Sequence, residues 1–212
     1  MKQGSRWLAV AGLTLIGVDP TPRERTACEG ATRMPTLDIL VVDYQRIPRH
    51  IWTRAEQHVT LVYRSIPVET TWRRVRPRPD SDATAPLTVA PPDGGSLFTI
   101  LIPSRPMAEW TGDGSNVLGV TPYSVDRRGR LAYVFYDRID ALARLTGVDE
   151  AQILAYVLAH EIGHLLLPVG AHADAGLMRR SIDLRNLRNT VRDRLSFSTE
   201  QTDLLRGSAP CE

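Results

Sequence analysis

Apolar residues in the first two thirds of the chain fall into short continuous runs separated by polar segments. Residues 37–43 (LDILVVD) form one such β-rich run, which predicts a buried strand. The segment 73–95 is rich in proline, aspartate and arginine and lacks periodicity, so we predict a long surface loop there, and a second loop over 110–116. Four further apolar runs predict strands over residues 68–72, 97–102, 117–124 and 131–136.

Other stretches carry apolar residues at the three- and four-residue steps of an amphipathic helix. The clearest is 49–66, where Pro48 suits the first turn. A short helix is predicted over 138–145, and another near the C-terminus, with Ser198 as its cap and Gln201 at the third helical position.

The most apolar helix is predicted in the last third of the chain. Asp149 can cap it, and Gln152 three residues later completes a start that resembles a capping box. Pro168 and Gly170 end it. The predicted order is therefore strand, helix, four strands and then this long helix, which indicates a mixed α and β domain. Its apolar positions are Ile153, Leu154, Val157, Leu158, Ile162, Leu165 and Leu166.

The long helix contains the segment His160-Glu161-Ile162-Gly163-His164. Residues four apart lie on one helix face, about 40° apart around the axis, so the two imidazoles can hold one zinc ion. Glu161 is one step further round, where it can act as general base toward a water molecule that zinc has made more acidic. Such a motif occurs by chance in a chain like this on the order of once in a hundred. The sequence therefore predicts a zinc-dependent hydrolase.

The stretch HEIGHLLLPVGAHADAGLM, residues 160–178, resembles the metzincin peptidases. Their pattern is H-E-x-x-H-x-x-G-x-x-H, followed by a methionine turn beneath the zinc. The first histidine, the glutamate and the second histidine match directly. Leu167 stands at the family's glycine position and Gly170 at its third histidine, while His172 follows two residues late. The stretch is also similar to bacterial metzincin-like proteins that carry H-E-x-G-H-L-L-L, then a histidine, then Gly-(Ile/Leu)-Met, as residues 176–178 do here.

A catalytic zinc site needs three protein ligands and one open position. We expect His172 to be the third ligand, with Asp174 as the alternative and Glu200, in the first turn of a later helix, as a weaker one. The resemblance implies that Met178 supports the site without binding the metal. His50 and His58, on the first helix, are interpreted as structural or surface residues.

The resemblance also implies a fold and a substrate class. It implies a twisted, mostly parallel sheet with a backing helix, an active-site helix and an antiparallel edge strand over 117–124 that holds an extended polypeptide. The implied activity is that of a peptidase, most simply an endopeptidase. A zinc-containing peptide-binding module without turnover remains an alternative, although such a module has no need of Glu161. A zinc hydrolase of a non-peptide amide remains open as well.

The N-terminus has a different character from the rest of the chain. Lys2 and Arg6 flank an apolar run over 7–18 that is too short to cross a bilayer but suits a secretory signal. We therefore predict a leader over 1–27 and a single zinc peptidase domain over 28–212, secreted and without a membrane span in its mature form. In an exported protein the two cysteines, Cys28 and Cys211, favour a disulfide.

Charge adds little to this interpretation. The formal net charge of +2 gives no argument for a nucleic-acid partner. Nothing in the sequence determines the oligomeric state, and a monomer is favoured.

Overall fold

The predicted strands assemble into one five-stranded sheet. A computed structural model describes residues 36–77, 97–110, 116–122, 130–168, 170–182 and 195–208. The strand order is β2-β1-β3-β5-β4. Every neighbouring pair is parallel except β4 and β5, which are antiparallel. The mostly parallel sheet with an antiparallel edge strand is therefore confirmed. The strands are β1 (Thr36–Asp43), β2 (Glu69–Val75), β3 (Leu97–Ile102), β4 (Gly119–Val120) and β5 (Leu131–Val134).

Helices pack on this sheet and on one another. α1 contacts α4 and β2, while α4 contacts α3, β4 and β5. The Tyr63 hydroxyl on α1 donates to the Ala159 carbonyl on α4 at 3.0 Å, which joins the two helices inside the core. The helices are α1 (Arg49–Arg64), α2 (Arg105–Trp110), α3 (Tyr136–Thr146), α4 (Glu150–Leu166) and α5 (Thr199–Ser208).

The central helix of the fold is α4. Eleven of its 17 residues are buried, so it is enclosed on most sides and does not lie on the surface with one apolar stripe. This burial explains why its sequence is apolar all round. A side chain on α4 is consequently held by packing from both the sheet and α1.

The structure corrects the predicted loop over 73–95, because residues 73–75 belong to β2. Asp43 at the end of β1 is fully buried, and a buried carboxylate needs a partner. Arg74 supplies it: its Nε donates to Asp43 Oδ2 at 3.1 Å, and its guanidinium lies 4.7 Å from the ring centre of Trp52. The charged residues that resembled a loop thus complete a strand. Residues 78–96 lie outside the described part of the chain.

Other boundaries also differ from the prediction, among them those of β4 and β5. The edge strand β4 covers only Gly119–Val120 of the predicted 117–124, and residues 123–129 lie outside the description. β5 ends at Val134, because the Phe135 carbonyl accepts from the next helical turn and Tyr136 begins α3. Helix α2 was not predicted, and its last residue, Trp110, falls in the predicted loop over 110–116.

No helix among the described residues is both long and apolar enough to span a membrane. The predicted leader, Cys28 and Cys211 all lie outside these residues. Export and the disulfide therefore stay predictions.

Candidate metal centre

Two of the candidate metal ligands come from adjacent turns of α4. The Asp149 side chain caps the helix by accepting from Gln152 N at 3.1 Å, as predicted, and Leu167 leaves it in extended backbone. His160 and His164 therefore share one face near the C-terminal end. Their ring centres are 4.7 Å apart, and their Nε2 atoms are 3.0 Å apart.

A short return segment, residues 170–178, brings a third imidazole back to this face. The Ala171 amide donates to the Pro168 carbonyl at 3.2 Å, and Gly170 has a φ of +83°, a conformation that favours glycine. The chain reverses there. His172 then places its Nε2 3.1 Å from His164 Nε2.

Helix α5 anchors the first part of the return segment. Ser198 N donates to Gln201 Oε1 at 3.0 Å, and Gln201 N donates to Ser198 Oγ at 3.2 Å, which makes a reciprocal cap at the start of the helix. The other end of the same amide, Gln201 Nε2, donates to the Ala171 carbonyl at 2.9 Å. One buried glutamine thus fixes both the helix start and the residue before His172.

Backbone contacts hold the second part of the return segment. Ala173 N donates to the Met178 carbonyl, and Leu177 N to the Ser196 carbonyl, each at 2.9 Å. Gly176 lies between them with a φ of +79°, and a Cβ there would stand 2.8 Å from the Ser196 carbonyl oxygen. The turn therefore requires glycine at this position on both backbone and steric grounds.

The nitrogen chemistry of the three imidazoles fits a metal cation. His160 Nδ1 lies 2.9 Å from the Leu177 carbonyl, which only accepts, so Nδ1 carries the proton and Nε2 carries a lone pair. The Nε2 of His164 can donate one proton at most, yet it faces two nitrogens at 3.0 and 3.1 Å. A tetrahedral zinc ion with bonds of about 2.0–2.1 Å separates its ligand nitrogens by about 3.3 Å. One cation between the three rings satisfies all three lone pairs.

Burial keeps these imidazoles in their neutral, metal-binding form. It lowers the pKa of His160, against the effect of the hydrogen bond to Leu177, and it lowers the pKa of His172, with a further contribution from Arg180. The pKa of His164 falls to about 4, mainly through burial and then through the other two histidines. Within the described chain, these three residues form the one group of at least three histidine, cysteine or acidic side chains close enough to share an ion.

Glu161 lies beside the cluster, turned toward the edge of the sheet. It is only 4% exposed, and its Oε2 accepts from Thr121 Oγ1 at 2.7 Å. Burial raises the pKa of Glu161 to about 7, while the Thr121 hydrogen bond opposes that rise. A buried carboxylate held in this way can serve as a proton acceptor.

Met178 is fully buried and packs against α4 at Gly163. A Cβ on Gly163 would stand 2.5 Å from Met178 Sδ, closer than such atoms approach, and 3.2 Å from Phe197 Cε1, which is a tight contact. The return segment therefore packs directly against α4 at the glycine between Glu161 and His164. The Met178 sulfur therefore lies next to the helix, and its role as a support stays a prediction.

The weaker candidates lie apart from the cluster. Asp174 is exposed and does not join the three imidazoles, and Glu200 is exposed in the first turn of α5. His50 is exposed and His58 partly buried, both on α1, and neither belongs to the cluster.

Sequence reasoning missed several residues that shape the site. Gly163 was visible within the motif, but its role depends on a methionine fifteen residues later. Gln201 was predicted only as a helix cap, and its bond to Ala171 spans 30 positions. Gly119 and Thr121 carried no local signal, because their contacts with Glu161 exist only once the sheet is formed.

The chain resembles known proteins in three-dimensional structure, and the sequence comparisons find no match. No protein-family profile matches the sequence, and no curated protein matches it. Among solved structures, the chain is similar to archaemetzincin from Methanopyrus kandleri, at 19% identity and a TM-score of 0.46, over 82% of this chain and 95% of that one. It is also similar to metalloproteinase-II from Bacteroides fragilis, at 16% identity and a TM-score of 0.47, over 85% of this chain and 55% of that one. These values are too low to assign a function, which has to come from the site's own residues.

Proposed function

We propose that the chain is a zinc-dependent peptidase in which His160, His164 and His172 hold the ion and Glu161 is the proton acceptor. One observation carries the proposal. Three imidazole nitrogens converge, with His164 Nε2 at 3.0 and 3.1 Å from the other two, and a buried carboxylate occupies the next position along the helix.

The donor set favours a catalytic rather than a structural ion. Three neutral imidazoles leave one position of a tetrahedral zinc ion open, whereas structural sites fill all four with protein ligands. When bound, zinc supplies a Lewis acid that polarises a carbonyl group and acidifies water.

The chain's own residues supply the rest of the chemistry. The Leu177 carbonyl orients the His160 ring, and the return segment orients His172. Glu161, buried beside the imidazoles, is the carboxylate placed to take up a proton. A protein that only bound zinc and peptide would have no use for such a buried carboxylate, which supports turnover.

An extended polypeptide is the substrate class that the fold favours. β4 is the last strand in the sheet order, it pairs with β5 on one side, and α4 contacts it. An extended peptide can add to such an edge through backbone hydrogen bonds. A peptide can pair with this edge without a free peptide terminus at the site, so we propose endopeptidase activity.

Zinc content and cleavage measured together test this proposal. The chain purified with zinc should hold one ion per molecule and should cleave a mixed peptide library, including peptides with both ends blocked. A full complement of zinc without cleavage would favour the binding module. Cleavage of simple amides but not of peptides would favour the hydrolase of a non-peptide amide.

We also propose that the chain is exported and that Cys28 and Cys211 form a disulfide. The support is the basic and apolar N-terminus and the even number of cysteines. In protein taken from an oxidising compartment, neither thiol should react with an alkylating reagent until a reductant is added. Two thiols that react without reduction would contradict the proposal.

A further inference from the structure

Thr121, the residue after β4, contacts Glu161 inside the protein. It is 8% exposed, and its Oγ1 lies 2.7 Å from Glu161 Oε2 and 3.3 Å from the Glu161 carbonyl oxygen. Both oxygens only accept when the carboxyl is ionised, and a hydroxyl has one proton. The shorter contact therefore takes the hydrogen bond, and the carboxylate is the group that Thr121 holds.

Gly119 limits the same carboxylate from a second direction. Gly119 begins β4 and Thr121 follows its last residue, and both lie against the Glu161 side chain. A Cβ on Gly119 would stand 2.7 Å from Glu161 Oε1, 2.8 Å from Glu161 Cγ and 2.9 Å from Val157 Cγ1. The Gly119 backbone thus packs beside Oε1, while Thr121 donates a hydrogen bond to Oε2.

We propose that Thr121 is a positioning residue for Glu161, acting from the end of the edge strand to hold the carboxylate in one orientation. The inference rests on the proposed function. A glutamate side chain has three rotatable bonds, and a displacement of about 1 Å at a reacting group can cost about 100-fold in rate. Burial alone leaves the orientation of the carboxylate open. The Thr121 hydrogen bond to one oxygen and the Gly119 backbone beside the other favour a single orientation.

The kinetic test compares Thr121→Val with Thr121→Ser in the zinc-loaded full-length chain. Valine keeps the shape and removes the donor, so kcat should fall by about 10- to 100-fold while KM changes by less than about threefold. Zinc content should stay at one per chain. Serine restores the hydroxyl and should recover most of the loss in kcat.

A matched control removes a hydroxyl at the opposite edge of the sheet. Thr70 on β2 shares its Oγ1 with Thr60 Oγ1 and with Trp72 Nε1, each at 3.0 Å. Thr70→Val should lower stability and leave kcat unchanged. If Thr121→Val keeps wild-type kcat, or loses no more than Thr70→Val does, the inference is overturned. Should Thr121→Val fail to fold, Gly119→Ala serves in its place, because it displaces Oε1 and should lower kcat with zinc retained.

A second test needs neither zinc nor turnover. Urea unfolding of the metal-free chain is measured for Thr121→Val, Glu161→Ala and the double variant. Thr121→Val should shift the unfolding midpoint clearly in the wild-type background and by less than half as much once Glu161 is alanine. Additive shifts would overturn the inference. A zinc-loaded wild-type chain that cleaves no peptide would contradict the proposed function alone, and this cycle would then decide the contact between Thr121 and Glu161.

Discussion

The two halves of the candidate site are built in different ways. His160, Glu161 and His164 lie within five positions of one buried helix, and helical geometry alone puts them together. His172 lies on a return segment with little regular structure, which is held by hydrogen bonds to Ala171, Ala173 and Leu177. The helix half depends on local pattern and core packing, whereas the return half depends on contacts between residues far apart in sequence.

This difference shows where the site is open to change. The helix half is protected by the core, because α4 packs against both α1 and the sheet. The attachments of the return half include Gln201 on α5 and the contact of Met178 with the helix at Gly163. Substitutions at those attachments should affect metal binding without touching a ligand.

The largest effect is expected from the ligands themselves, one from each half. His160→Ala and His172→Ala should each weaken zinc binding by more than the roughly 10- to 100-fold that loss of an outer-sphere partner costs, and should abolish hydrolysis. Isothermal titration with zinc measures the loss of binding in each variant, and a peptide cleavage assay measures the loss of hydrolysis. If the return segment contributes a true ligand, the two losses should be of similar size.

Asp174→Ala is the matched control on the return segment. Its side chain is exposed two residues beyond His172, so zinc affinity should change less than about twofold. If Asp174→Ala loses much of its zinc affinity and His172→Ala loses little, the third ligand is the aspartate.

Gly163→Ala tests the contact that joins the two halves. Alanine is the better helix former by about 1 kcal/mol, so local propensity predicts stabilisation. The Cβ would instead meet Met178 Sδ at 2.5 Å, and overpacking of this kind costs about 1–3 kcal/mol. Urea denaturation should therefore show net destabilisation, which should be smaller when Met178 is also alanine. If Gly163→Ala alone is more stable than the wild type, Met178 does not pack tightly against Gly163.

A smaller effect is expected at the anchor on α5. Gln201→Ala removes the donor to the Ala171 carbonyl and should weaken zinc binding by about tenfold, as loss of an outer-sphere partner does. Glu200→Ala, the exposed neighbour in the same turn, should leave zinc affinity unchanged. Equal effects at both positions would show that the helix as a whole matters, and not the glutamine contact.

The sequence predicted the parts of the molecule that depend on local periodicity. β1, β3, α1 and the capped start of α4 follow from apolar spacing and turn chemistry, and the structure has them close to the predicted bounds. β2 was cut short because Arg74 looked like a loop residue, and its place in a strand depends on the buried Asp43. A charge that is satisfied by a partner 31 positions away leaves no local pattern.

The same limit applies within the site. Spacing placed His160 and His164 on one face, but no rule of spacing says which residue beyond Pro168 and Gly170 returns to them. The direction of Glu161 depends on Gly119 and Thr121, some 40 positions earlier. Side-chain identity predicted which groups can react, and tertiary contacts determine how they are oriented.

The most direct test of the account is Glu161→Gln, with zinc stoichiometry and peptide cleavage measured on the same preparation. The amide keeps the size of the side chain and leaves all three imidazoles in place, so the variant should hold one zinc per chain. Because glutamine cannot accept the proton, kcat should fall by about 10²- to 10⁴-fold, while Glu200→Gln on the surface should keep wild-type activity. Near-wild-type cleavage by Glu161→Gln with zinc bound would contradict the account.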